Sequence, residues 1–158
     1  MRKMSPNGLL LCRIQAELFS HYGEFLPCSP LIFVRRFMFS SLAKRFDDMT
    51  VLLEVSTNKT FIDEINEEYG QTSFGKFKDE DKERMYWVGY VYRYWAYTYE
   101  ISSHDLFLKV PVRFIYDRYD LYHSMDVEYV IHRIMEEEHI YFDIKKTLEE
   151  LLSKYMHD

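Results

Sequence analysis

Only two cysteines occur in the 158 residues, Cys12 and Cys28, and their spacing makes neither a CxxC metal or redox pair nor the disulfide framework of small secreted domains. That scarcity fits a reducing, cytoplasmic setting. Glycine and proline are sparse too, five and four, with no Gly-rich phosphate loop, no GxSxG elbow and no Gly/Ser linker. No apolar run approaches the ~20 residues that cross a bilayer. The start, Met1-Arg2-Lys3, is basic as in a signal peptide, but Leu9-Leu10-Leu11 is cut short by Arg13 and Gln15. Positive charge is in short supply: 20 Lys/Arg stand against 26 Asp/Glu, a formal net charge of −6. It is also uneven, since residues 1–50 carry 7 basic against 4 acidic side chains and the remainder 13 against 22. An acidic body argues against nucleic acid as a partner, because duplex binding depends on Lys and Arg neutralising phosphates. A local RNA contact through Arg35, Arg36, Lys44 and Arg45 stays open, beside the preferred reading of a solvated helix face.

What the chain has in quantity is apolar and aromatic side chains, 47% and 18% of the residues. That excludes disorder and supplies a core for one domain over 1–158. The apolar spacing predicts an all-α fold, with mildly basic N-terminal helices over 1–50 and an aromatic, acidic helical part over 79–158. A first helix spans 8–22, with Leu10, Ile14 and Leu18 on one stripe, and Gly23 ends it. Ser29-Pro30 opens a second, running to about Phe46. Residues 49–59 read as helical or irregular, Thr60 with Asp63 as the cap of a short helix to Tyr69, and 70–78 as an exposed loop.

The segment 79–100 is the central helix. Tyr86, Tyr90, Tyr94 and Tyr97 share one stripe and Val88, Val91, Trp95 and Tyr99 another, and a helix apolar nearly all round is wrapped by its neighbours. Gly89, Arg93 and Ala96 form a narrow strip for close backbone approach, where Arg93 requires a carboxylate. Ser102 or Ser103 caps the next helix, Pro111 opens one through Tyr122, and Asp126 starts another with Val127, Val130, Ile131 and Ile134 inward. Residues 138–156 make a last amphipathic helix whose apolar side docks on the domain or on a second copy.

Chemistry-bearing spacings are few. Arg118 and His123 have the spacing of the Arg/His pair in helical ribonucleases of the HEPN class, which implies a ribonuclease toxin as an alternative function. With ten arginines and six histidines in the chain, about one such spacing arises by chance, and Tyr119 stands where that motif commonly has a polar residue. Glu136-x-x-His139 matches one motif of a di-iron bundle but lacks the second copy and the further glutamates, so a solvated Glu136-Glu137-Glu138 face is expected, with no metal and no cofactor. His132, between Ile131 and Ile134, reads as a satisfied or surface histidine.

Fourteen tyrosines and two tryptophans exceed what a core needs, because each buried hydroxyl must find a partner, and such rings are favoured anchors of protein interfaces. Tyr86, Tyr90, Tyr94, Tyr97 and Tyr122, with Glu136 and Glu137, are the candidate interaction residues.

From Ile101-Ser102-Ser103-His104-Asp105-Leu106 through Tyr119-Asp120-Leu121-Tyr122-His123-Ser124-Met125-Asp126-Val127-Glu128-Tyr129-Val130-Ile131, the chain resembles small helical bacterial proteins of toxin–antitoxin-like loci, often encoded beside an ADP-ribosyltransferase-like toxin. The likeness covers residues 85–135, and Tyr122 before His123 departs from the Leu-His pairing of the pattern. It implies an antitoxin or accessory partner and brings no catalytic residues. The function expected is therefore a non-catalytic protein-binding module whose partner is a toxin encoded nearby. Alternatives are the ribonuclease and a homo-oligomeric structural protein joined through 138–156.

Overall fold

The computed structural model describes residues 1–142 and 152–156. Its architecture is all-α, with no strand among the described residues. The longest helix, α5 (Asp81–Tyr99), lies at the centre as its pattern predicts: Met85, Trp87, Val88, Val91, Tyr92, Trp95 and Ala96 are buried on several sides. Asp81 and Glu83 sit in its first turn, where the helix dipole favours negative charge. Glu100, in the left-handed conformation at φ 51°, ends it.

Helix α1 (Pro6–His21) runs antiparallel along α5. Gly8 lies against the Tyr97 ring at one end, and the Gln15 amide donates to the Gly89 carbonyl at 3.0 Å further on. Gly89 is what permits this approach, since a Cβ there would stand 2.8 Å from the Phe19 ring and 3.0 Å from the Gln15 carbonyl oxygen. The narrow strip read in the sequence is thus where α1 backbone seats. A short 3-10 turn (Tyr22–Glu24) follows α1.

The stretch expected as one helix from Ser29 is two, α2 (Pro30–Phe39) and α3 (Ser41–Asp47). Ser40 breaks it with an extended ψ of 159°, its hydroxyl donating to the Phe37 carbonyl at 2.6 Å and accepting from the Ala43 N–H at 3.1 Å. A serine that offers the backbone these substitutes ends one helix and caps the next without glycine or proline. Residues Thr50–Leu53 form a 3-10 turn, in keeping with the helical or irregular reading. Helix α4 (Asn58–Tyr69) has its cap three residues before the expected Thr60. Thr57 is its N-cap and Thr60 the reciprocating third residue of a capping box, so Thr60 serves inside the helix and not at its edge. Gly70, at φ 77°, stops it as expected.

Ser102 caps α6 (Ser103–Lys109). The helix expected from Pro111 through Tyr122 is broken at Asp117-Arg118 into α7 (Val112–Tyr116) and α8 (Tyr119–Tyr122). Asp126 accepts from the Glu128 N–H to start α9 (Val127–Glu138), which buries Val130, Ile131 and Ile134. Val127 is half-buried against the core. His139, at φ 53°, ends α9, and residues 140–142 are not helical, so the final helix expected over 138–156 does not start at 138; residues 152–156 are helical, and 143–151 lie outside the described residues.

The core is unusually aromatic. Phe19 sits edge-on to Phe33 at 5.3 Å and to Phe37 at 5.0 Å, and Phe46 meets Phe37 and Phe61 likewise. Edge-to-face pairs of this kind add stability beyond their buried area, about 0.5–1.5 kcal/mol each.

Candidate functional site

Arg93 lies on the buried strip of α5, 2% exposed, and the carboxylate it requires is Asp47 at the end of α3. Its three nitrogens each find a partner at 2.7 Å: Nε donates to Gln15, Nη1 to Asp47 and Nη2 to the Ser103 hydroxyl. Ser103 in turn donates its hydroxyl to Asp47 at 2.6 Å and its N–H to the other carboxylate oxygen at 3.0 Å. Burial pulls the Arg93 guanidinium below its ordinary value, and Asp47 opposes that pull. The network ties α1, α3, α5 and α6 at one point. A cavity of about 270 Å³ opens over it, bordered by Arg2, Asp47, Glu100 and Ser102. Arg2 is itself engaged, lying 3.8 Å over the Tyr97 ring and donating to the Tyr97 carbonyl at 3.1 Å, a cation on the negative end of the α5 dipole. Arg93, Asp47, Gln15 and Ser103 each answer another of the set, which is how a cross-brace is built.

The Arg118/His123 pair is not brought together. Arg118 donates through Nε to Glu137 at 2.9 Å, through Nη1 to the Phe114 carbonyl at 2.7 Å and through Nη2 to Glu138. Although burial draws its pKa down, bonds to Glu138 and Glu137 outweigh that and hold it above the ordinary arginine value. The His123 ring stacks on Tyr119 at 4.5 Å and its Nδ1 lies 2.8 Å from the Tyr119 carbonyl oxygen. The arginine therefore pins α8 to α9 while the histidine closes the end of α8. Glu136 and His139 join no group of three His, Cys, Asp or Glu able to hold a metal among the described residues. His132 is exposed.

The tyrosines divide by what their hydroxyls do. Those of Tyr22 and Tyr92 are buried and donate to the Cys28 and Val110 carbonyls at 2.8 and 2.6 Å. Tyr97 is buried too, with its oxygen 2.6 Å from the Ser5 hydroxyl, and Tyr99 and Tyr116 reach Met135 and Asp81. Tyr122 donates to Glu137, which Arg118 and Arg133 also approach. That Tyr122 bond, opposed by burial and aided by the arginines, holds the Glu137 carboxyl below its ordinary value. Glu136 is exposed, 3.6 Å from Arg133.

Tyr86, Tyr90 and Tyr94 are different. They are half-buried, one turn apart, and their hydroxyls have no hydrogen-bond partner among the described residues. The Tyr90 and Tyr94 rings stack with centroids 6.4 Å apart. Beyond Glu83 in the first turn, these three rings form the water-facing line of the central helix up to Tyr94. Burial raises the Tyr94 pKa, and Glu128 and Asp126 at the start of α9 raise it further; burial also raises Tyr90, against the opposing charge of Arg13 on α1. The line lies on α5, which packs against both α1 and α9, and at the acidic start of α9 Met125 and Tyr129 are exposed. Of the seven candidate interaction residues, these three share one open face. Tyr97 lies buried beyond it, and Tyr122 and Glu137 are bound to each other. Comparison with known protein families, with curated proteins and with solved structures found no match.

Proposed function

We propose that this protein is a non-catalytic protein-binding module of the cytoplasm, the antitoxin or accessory half of a bacterial toxin–antitoxin or phage-defence pair, and that the Tyr86–Tyr90–Tyr94 line is its gripping face. One observation carries the reading: past its acidic first turn, the helix that organises the fold turns aromatic rings, not charges, toward water along its open line. A helix face meant only for solvent gains nothing from tyrosine there. Large rings with two side-chain torsions and a free hydroxyl are instead well suited to an interface, giving contact area at small entropy cost and a polar tip that pairs with the partner. The Arg118 side chain supports the same reading from the other side, since each of its three nitrogens already donates within the fold, to Glu137, Phe114 and Glu138.

The test is co-expression with the product of the neighbouring gene. A stable complex that restores growth, lost when Tyr90 and Tyr94 are both changed to alanine, is the expected outcome. Absence of any complex or rescue removes the proposal. If the chain alone arrests growth and a folded His123→Ala variant does not, the ribonuclease reading replaces it.

A further inference from the structure

We infer that the partner meets this face with a basic segment, its arginine or lysine side chains laid across the Tyr90 and Tyr94 rings and their charges turned toward Asp126 and Glu128. The inference rests on the binding-module reading and adds to it the chemistry of the partner.

The fold already lays arginines over tyrosine rings on and beside α5. Beyond Tyr94 on the same stripe, Arg2 lies 3.8 Å over the Tyr97 ring, and near the start of the helix Arg84 lies 4.7 Å over Tyr116 and 5.4 Å over Tyr119. Tyr86, Tyr90 and Tyr94 precede Tyr97 on its stripe, and no cation of the described residues lies over them. A phenol ring attracts a cation to its face within about 6 Å, so this open stretch offers the attraction that Arg2 already satisfies at the Tyr97 end of the stripe.

The charges beside the line point the same way. Asp126 and Glu128 are exposed at the start of α9, Glu83 precedes Tyr86 on its own line, and Glu17 is exposed on α1; among the described residues none of the four has a cation within ion-pair distance. Of the cations on the neighbouring turns, Lys82, one turn before Tyr86, lies 3.9 Å from Asp79, and Arg13 is exposed on α1. An acidic or purely apolar partner would leave those carboxylates unpaired on desolvation, which costs free energy. A cationic one pairs with them and is drawn in by the −9 of residues 51–158.

The probe is a fluorescently labelled helical peptide with arginines one turn apart on an alanine and leucine background, titrated into the full chain by anisotropy. The same peptide with glutamate in place of arginine is the control. The arginine peptide should bind and the glutamate peptide should not. Tyr90→Ala or Tyr94→Ala should weaken binding about tenfold, whereas the phenylalanine variants, which keep the ring, should retain most of it. Glu128→Lys should weaken binding as strongly, and Glu67→Lys, exposed on α4, should leave it unchanged. Equal binding of the two peptides, or no effect of Glu128→Lys in a folded variant, overturns the inference. A natural partner that binds with the same affinity to the Glu128→Lys variant removes the basic segment alone, whereas failure of any partner to bind removes the underlying reading.

Discussion

Removing the Asp47 carboxylate should unsettle the whole fold, although the side chain is largely out of water at a helix end and touches none of the aromatic core pairs. Asp47→Ala strands the Arg93 guanidinium, 2% exposed, with only the neutral Gln15 and Ser103 as partners. Breaking a buried ion pair from one side costs about 3–5 kcal/mol, because the remaining charge stays desolvated. For a domain of this size each kcal/mol lowers the melting temperature by about 2–4 °C, so a loss on the order of 10 °C is expected. Asp47→Asn keeps an acceptor oxygen but not the charge and should fall between. Replacing the pair together, Asp47→Ala with Arg93→Met, should recover part of the loss, since a well-packed apolar residue there carries no desolvated charge. Urea denaturation of the wild type, the two Asp47 variants, Arg93→Met alone and the double variant measures all of this, and the double-mutant cycle isolates the coupling. A loss under about 1 kcal/mol for Asp47→Ala, or fully additive single effects, would refute the idea that this network braces the four helices.

Other outcomes follow from the same geometry. Gly89→Ala should destabilise by about 1–3 kcal/mol in denaturation, because the added methyl would stand 3.0 Å from the Gln15 carbonyl oxygen, a backbone atom that cannot swing aside. Tyr92→Phe should cost about 1 kcal/mol or more by leaving the buried Val110 carbonyl unanswered, while Tyr94→Phe should cost close to nothing. Burial pushes the Cys12 thiol up to about 12 and the Cys28 thiol up to about 11, so neither should react with iodoacetamide at pH 8 until the chain unfolds. Because the folded state holds these protons where the unfolded state releases them, stability should fall as the pH rises above about 9, the ordinary thiol value. Flat stability up to pH 11 would contradict that burial.

The parts of the fold legible in the sequence were those set by local chemistry. The period of α5, its close-approach strip at Gly89, Arg93 and Ala96, the stop at Gly70 and the caps at Ser102 and Asp126 each depend on residues within a turn or two. Ser40 was missed because serine is tolerated inside a helix, and only its bonds to Phe37 and Ala43 show that it interrupts one. The cap of α4 was placed a turn late because Thr57 and Thr60 are chemically alike, so the box Thr57–Thr60 and the pair Thr60–Asp63 fit the same pattern. The need of Arg93 for a carboxylate could be read, but not that Asp47, 46 residues away, would meet it. Non-local pairing is decided by how helices cross, and no spacing rule encodes that. The division of the tyrosines was hidden for the same reason: which rings stay open depends on where α1 and α9 lie against α5.

Chemical footprinting of tyrosine hydroxyls with N-acetylimidazole, on the free chain and on the chain co-purified with the product of its neighbouring gene, tests the central claim most directly. In the free chain Tyr86, Tyr90 and Tyr94 should be modified while Tyr22, Tyr92 and Tyr97 are spared, and in the complex the first three should become protected. Unchanged modification of those three in a stable complex, with protection appearing elsewhere, would place the grip on another surface.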